Sequence, residues 1–221
     1  MNRSINILLI FFSFPAFAFI ICVAFDIHFF NIPIADLPFK FPIFIGVATL
    51  LLLLIIRRSV SRWVGVSMTR KPDRFLWSTP VSKERKKQVR LFLIMEAVIA
   101  FFSMITALLL TMEAWPIALV YGIMTLDQLL FLAIAQSWFR VGITHKAVVV
   151  ADREVRLLFF SGLRRIETHQ QTLYFEYIED LQLFFPTNCI PEGKYGEFRH
   201  GLEERVNRDR VFFSEGFKAL S

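Results

Sequence analysis

Few residues of the kind that carry chemistry are present. Two cysteines, Cys22 and Cys189, stand in a chain of 221 residues, too few for a disulfide framework or a Cys-x-x-Cys site. The four histidines, His28, His145, His169 and His200, have no second His or Cys at the spacing that sets two ligands on one helix face. There is no His-Glu-x-x-His, no glycine-rich phosphate loop and no Gly-x-Ser-x-Gly. These absences argue against a metal centre, a nucleotide cofactor and an activated nucleophile. No catalytic, cofactor-binding or metal-ligating residue is assigned. Asp152, Glu154, Glu179 and Asp180 read as turn and surface charges.

What is abundant is apolar. The chain is 55% hydrophobic with 26 Phe, above the roughly 45–50% of soluble domains. The excess falls into four blocks. Residues 5–25 carry no charge, and residues 41–56 lie between Lys40 and Arg57-Arg58. Residues 91–112 hold one acid, Glu96, and residues 117–139 hold one, Asp127. A helix of about 20 residues, rising ~1.5 Å each, spans a hydrocarbon core of about 30 Å. The expected fold is therefore an α-helical membrane protein with four transmembrane helices, at about 5–25, 39–56, 91–112 and 117–139. The second spans if Lys40 and Arg57 snorkel to the headgroups. Arg3, the apolar run and Ala16-Phe17-Ala18 also fit a signal peptide, cleaved after residues 1–18. The run continues through residues 19–25, which favours a spanning helix.

Charge sets the expected orientation. Residues 57–90 hold eleven Lys or Arg against Asp73 and Glu84, a net +9. The other two connections hold Asp26, Asp36 and Glu113 against Lys40, a net −2. Positive loops stay cytoplasmic. The chain is thus expected as a multi-pass protein of the cytoplasmic (inner) membrane with both termini cytoplasmic. Helices three and four then form a tight hairpin turning outside at Glu113-Ala114-Trp115-Pro116. Cys22 and Cys189 would face opposite sides and could not pair.

The basic loop has the lipid surface as its nearest large anion, worth roughly 1 kcal/mol per Lys or Arg. Arg57, Arg58, Arg62, Trp63, Arg70, Lys71, Arg74 and Trp77 are the candidate lipid-facing residues, with the tryptophans at headgroup level. Anionic lipid headgroups are the expected partners. Simple positive-inside anchoring explains the same charges. Residues 141–221 hold eleven basic and twelve acidic residues, net −1, so no basic face for nucleic acid is expected there.

Residues 140–221 read as β-rich. Val141 to Thr144 and Ala147 to Val150 are β-branched and apolar, Asp152-Arg153-Glu154 turns, Val155 to Phe160 resumes a strand, and Ser161-Gly162 turns again. Leu181, Leu183 and Phe185 alternate at period two. Residues 186–196 look like a loop. Ser214 is placed to cap a short helix carrying Phe217 and Leu220.

The run Arg140-Val141-Gly142-Ile143-Thr144-His145-Lys146-Ala147-Val148-Val149-Val150 resembles the opening hairpin of bacterial PH-like domains. Gly162 to Glu167 and Tyr177 to Leu183 are similar to that family's later strands, and Val211-Phe212-Phe213 followed by residues 215–220 to its last strand and closing helix. The resemblance implies a small cytoplasmic PH-like domain over residues 140–221, tethered to the transmembrane helices over residues 1–139. It implies an interaction or scaffold module without catalytic residues. The chain ends at Ser221, so that closing helix would be short.

Polar residues inside the apolar blocks are the sharpest signals: Glu96, Asp127, Gln128, Gln136 and Thr49. A carboxylate in hydrocarbon costs at least about 2.5 kcal/mol, so it faces protein or water. At 100° per residue Glu96 shares a face with Ala100, Ser103 and Ala107, and Ala118, Gly122, Thr125 and Gln136 share another. Small residues let helices approach. These two faces are expected to pack as the seam of the hairpin, with Glu96 near Gln136. Asp127 lies off that seam, and Thr49 is its expected internal partner; a second protein or a second copy is the alternative.

The function expected from these signals is a membrane-tethered interaction or scaffold protein. It would present the PH-like domain and the basic loop to another membrane or cytoplasmic protein, or to itself. The alternative is a small transporter or channel subunit using Glu96 and Asp127. Four helices without an internal repeat make a poor solitary transporter. A membrane-embedded enzyme lacks the residues it would need.

Overall fold

The computed structural model describes residues 2–29, 32–33, 37–178, 181–206 and 210–219. Asp36, Glu179, Asp180 and Leu220, named above, lie outside the described residues. The chain divides into two compact units. One comprises Met1–Ser61 with Leu91–Ile134, the other Arg62–Arg90 with Ala135–Ser221.

The first unit is helical. Its helices are α1 (Asn2–Ala24), α2 (Lys40–Met68), α3 (Lys83–Leu110) and α4 (Trp115–Ile134), and α2 and α3 each contribute residues to both units. Four helical stretches are long and apolar enough to cross a membrane: Ser4–Ala24, Lys40–Met68, Lys83–Leu110 and Met112–Trp138. A two-residue antiparallel pair, β1 (His28–Phe29) with β2 (Ile32–Pro33), lies between α1 and α2 in sequence. The unit's core mixes large side chains, Ile20, Phe44, Leu51 and Ile117, with Ala16, Ala48, Ala100, Ala107 and Ala118. The alanines are what let four helix backbones come close. The outward faces are as apolar as the core, with Leu109 81% and Phe14 80% exposed. Helices apolar all round belong in a non-aqueous setting.

The second unit is built on two four-stranded sheets. The first has the order β3 (Trp77–Pro80), β4 (Arg140–Ile143), β5 (Ala147–Ala151), β6 (Val155–Phe159), antiparallel throughout. The second joins β7 (Leu163–His169), β8 (Thr172–Tyr177) and β9 (Gln182–Pro186) as an antiparallel meander, with β10 (Phe212–Phe213) added parallel to β7. Two short helices complete it, α5 (Tyr195–Glu203) and α6 (Glu215–Lys218). Strand β8 alternates half-buried and buried along Thr-Leu-Tyr-Phe-Glu-Tyr, as a two-residue period demands. Phe175 stacks on Phe185 at 5.9 Å, and Phe185 meets Phe198 of α5 edge-on at 6.2 Å. Thr144 closes the β4–β5 turn by accepting from the Ala147 amide at 3.1 Å. Ser214 caps α6 by accepting from the Phe217 amide at 3.2 Å, the cap its position implied.

Several boundaries differ from the sequence reading. Helix α2 runs to Met68 rather than 56, and α3 starts at Lys83 rather than 91. Residues 57–90 are therefore not one loop: they are two helix ends, a short 3-10 turn at Pro72–Arg74 and a strand. The reason is tertiary. Strand β4 pairs on one side with β5, and β3 fills its other side, matching Trp77 to Ile143 and Pro80 to Arg140. Pro80 has no amide hydrogen to donate, which an edge strand tolerates. The β-rich unit so begins at Arg62 rather than 140. Helix α5 sits in and beyond the stretch expected to be loop. Its only apolar stripe, Phe198 and Leu202 at i and i+4, is buried.

Two glycines permit close packing inside this unit. A Cβ on Gly65 would lie 2.6 Å from Val155 Cγ2, and one on Gly142 would run into the Phe75 ring.

Candidate functional site

The polar residues of the helical unit gather around α2. Arg58 Nη2 donates to Glu96 Oε2 of α3 at 2.7 Å, and their side chains are only 10% and 21% exposed. One residue on, Ser59 Oγ donates to Asp127 Oδ1 of α4 at 2.7 Å. Gln128 beside it is buried. Two further ties hold the same unit. Tyr121 Oη donates to Ser13 Oγ at 2.7 Å, joining α4 to α1, and Lys40 pairs with Glu113 at 2.9 Å.

Two expected partnerships are corrected. Thr49 does not serve Asp127: it donates its single hydroxyl proton to the Ile45 carbonyl of its own helix at 2.8 Å. Ser59 serves instead, about 15 Å further along α2 at ~1.5 Å per residue. Nor are Glu96 and Gln136 brought together by matching helical faces. Glu96 takes Arg58, and Gln136 accepts from Arg90 Nη2 at 2.9 Å. The physical reason is charge: each takes a guanidinium, and a charge-assisted hydrogen bond is roughly twice as strong as a neutral one. Helix α4 ends at Ile134 and Ala135–Trp138 is a 3-10 turn. The small-residue faces themselves are buried, at Ala100, Ala107, Ala118 and Thr125.

Chemically, this arrangement is a set of matched charges and hydrogen bonds.

The eight residues expected to face lipid are dispersed. Arg58 and Arg62 are corrected to interior positions, 8% and 2% exposed. Trp77 is corrected too: it lies in β3, its ring 5.6 Å from Phe198 and its Nε1 donating to Glu197 Oε2 at 3.1 Å. That hydrogen bond and Lys194 hold the Glu197 carboxyl below its ordinary range, Lys194 being the larger cause. Trp63 is half-buried and meets Trp138 edge-on at 6.5 Å, while Arg70 lies over Trp138 at 5.3 Å. Arg57, Lys71 and Arg74 are exposed.

A second buried cluster lies in the β unit, and one of its members was misread as a surface charge. Asp152 is 1% exposed. It accepts from Arg85 Nε at 3.0 Å and Nη2 at 2.6 Å, a two-pronged pair, and lies 3.9 Å from Cys189 Sγ. Burial and then the Asp152 charge push the Cys189 thiol up to about 12. At neutral pH it is a protonated, buried thiol rather than a nucleophile. Ser82 adds a tie, donating to the Asn188 carbonyl at 2.6 Å. Residues Ser59, Arg85 and Asp152 are the ones that sequence reasoning missed. A helix pattern continued past Arg57-Arg58 would have brought Ser59 within view. Nothing local marks the Arg85–Asp152 pair, whose members are 67 residues apart. Among the described residues no three His, Cys, Asp or Glu gather to hold a metal ion.

No protein-family model, curated protein or solved structure matches the chain. The functional reading rests on its own geometry.

Proposed function

We propose that this chain is a membrane-tethered interaction or scaffold protein. Its four helices cross the cytoplasmic membrane with both termini inside, and the β unit, a PH-like module, works at the cytoplasmic face. Its partners are anionic lipid headgroups and another protein, or a second copy of itself.

One observation carries the reading. The two acids inside the apolar helical runs have partners within the chain, Arg58 for Glu96 and Ser59 for Asp127. Their presence in apolar helices is thereby accounted for without a transported ion. The charge bias of +9 against −2 between connections supports the orientation. Two antiparallel meanders followed by a short closing helix support the PH-like reading. Exposed apolar side chains on the β unit, Leu157 and Phe159 on β6 and Phe184 on β9, suit a surface that meets a partner.

Photo-crosslinking in intact membranes tests this. A photoreactive residue at Leu157, Phe159 or Phe184 of the full chain should give a discrete adduct, competed by excess unlabelled chain and unaffected by Asp127→Asn. If no site gives an adduct, and proteoliposomes show a proton leak that Asp127→Asn abolishes, the transport reading replaces this one. Orientation needs its own reporter, because Cys189 is fully buried. A cysteine at exposed Ser161 should resist an impermeant thiol reagent in sealed cells and react after lysis. For the lipid partner, native mass spectrometry should show less anionic lipid on the chain once Arg57, Lys71 and Arg74 become Gln.

A further inference from the structure

We propose that a cleft in the β unit is a binding site for a phosphate-bearing ligand. The inference does not rest on the protein-interaction reading; its lipid arm would add a site for one of the anionic headgroups proposed above. The cleft has a volume of about 630 Å³ and among the described residues is lined by Arg164, Arg210 and Lys218, with Glu203 as the one acid and Phe212 as an apolar wall. That is the size of a small-molecule pocket, roughly 300–1,000 Å³.

Its geometry follows from the odd strand of the sheet. Strand β10 lies parallel to β7 with Phe212 opposite Arg165, which sets Arg210 one residue from the level of Arg164. Short helix α6 follows β10 directly and carries Lys218. The neighbouring charges are already engaged. Lys218 bonds Glu215 at 2.8 Å, Arg199 lies 3.9 Å from Glu203, and Arg165 pairs with Glu167 while lying over the Phe212 ring at 5.2 Å. Arg164 and Arg210 are exposed and have no ion-pair or hydrogen-bond partner among the described residues. Two uncompensated guanidiniums lining one cleft repel each other unless an anion lies between them.

The charge selects the anion. Among the described residues, three cations against Glu203 leave the lining at +2, and a phosphate monoester carries about −1.5 to −2 at neutral pH. A single carboxylate would leave one arginine unmatched. Guanidinium forks fit phosphate oxygens in pairs. Phe212, 57% exposed, offers an apolar face to the organic part of a phosphate ester. A soluble phosphate ester and a phospholipid with a terminal phosphate share this chemistry.

The test uses the full chain in phosphatidylcholine nanodiscs, titrated calorimetrically with phenyl phosphate and with inorganic phosphate at constant ionic strength. A second set of nanodiscs contains phosphatidic acid, with phosphatidylserine as the charge control. Saturable binding is expected, tighter for phenyl phosphate than for inorganic phosphate. Arg164→Gln and Arg210→Gln should each weaken it about tenfold, the loss of a charge-assisted hydrogen bond. Arg164→Lys and Arg210→Lys keep the charge and lose the fork, and should fall between. Lys146→Gln, an exposed site elsewhere, should change nothing. Binding in phosphatidylcholine discs assigns a soluble ligand. Binding only with phosphatidic acid, lost in Arg164→Gln, assigns a lipid. If the Gln variants misfold by circular dichroism, the Lys variants decide. No saturable binding in either arm, or equal affinity in the wild type and the folded variants, overturns the proposal.

Discussion

The two units place most of their phenylalanine differently. The helical unit shows phenylalanine to its surroundings, at Phe11, Phe14 and Phe102, and keeps Arg58 and Glu96 against each other inside. The β unit buries Phe175, Phe185, Phe198 and Phe217 and exposes Arg164, Lys194 and Arg210. Phenylalanine content alone therefore says nothing about where a core lies. What differs is the solvent that each unit is matched to. In water a buried ring gains from leaving solvent, whereas in lipid the outer face gains nothing by being polar.

The largest expected effect breaks the β side of this comparison. Phe185→Ala removes a fully buried ring that contacts Phe175 and Phe198, and should cost about 3–5 kcal/mol, read as loss of the β unit's near-ultraviolet dichroism on heating. Phe14→Ala, at a position 80% exposed, should stay within about 0.5 kcal/mol in detergent. Equal losses for the two would abolish the contrast.

Next comes the helical side. Arg58→Ala takes the guanidinium away from Glu96 and should destabilise by about 3 kcal/mol, while Arg58→Leu combined with Glu96→Leu should recover most of that. Thermal melting in detergent checks both. A double variant as unstable as the single one would mean that the pair does more than neutralise itself.

Gly65→Ala tests packing at a closer scale. The added methyl would meet Val155, a stiff β-branched side chain, at 2.6 Å, and should cost about 1–3 kcal/mol. Chemical denaturation that finds no change would show that α2 and β6 can separate freely at that point.

The smallest effect is a pH dependence confined to the β unit. The Cys189 thiol moves from its ordinary 9.0 to about 12, and the Tyr177 hydroxyl from 10.0 to about 12, burial leading in both. Both groups hold their protons more tightly folded than unfolded. Their contribution is complete below about pH 9 and is lost as pH rises through the window from 9 to 12. The denaturation midpoint should therefore fall as pH climbs above 9, less so in Cys189→Val. A midpoint that rises over that range would sink the assignment.

How much could be read beforehand depends on the range of the interaction responsible. The four apolar blocks, the Ser214 cap, the Asp152–Glu154 turn and the β character beyond residue 140 follow from neighbours within a few residues. All appear in the structure. Strand β8 was equally legible from its alternation and was overlooked, as was the i, i+4 pair of α5. The candidate site was half legible. Glu96 and Asp127 announced themselves as acids in apolar runs, but ending α2 at residue 56 hid Arg58 and Ser59 from them.

The sequence by itself thus determined which segments are helical and apolar, where charge concentrates, and which residues must find partners. Hydrophobic run length, period and charge are local quantities. Only the tertiary structure decided who those partners are. It took residues 77–80 out of a basic connection to complete a sheet with β4, matched Glu96 to a side chain 38 positions earlier, and set Arg85 on Asp152 across 67. Such pairs are selected by burial, where an unmatched charge or strand edge is most costly, and burial is a property of the assembled fold.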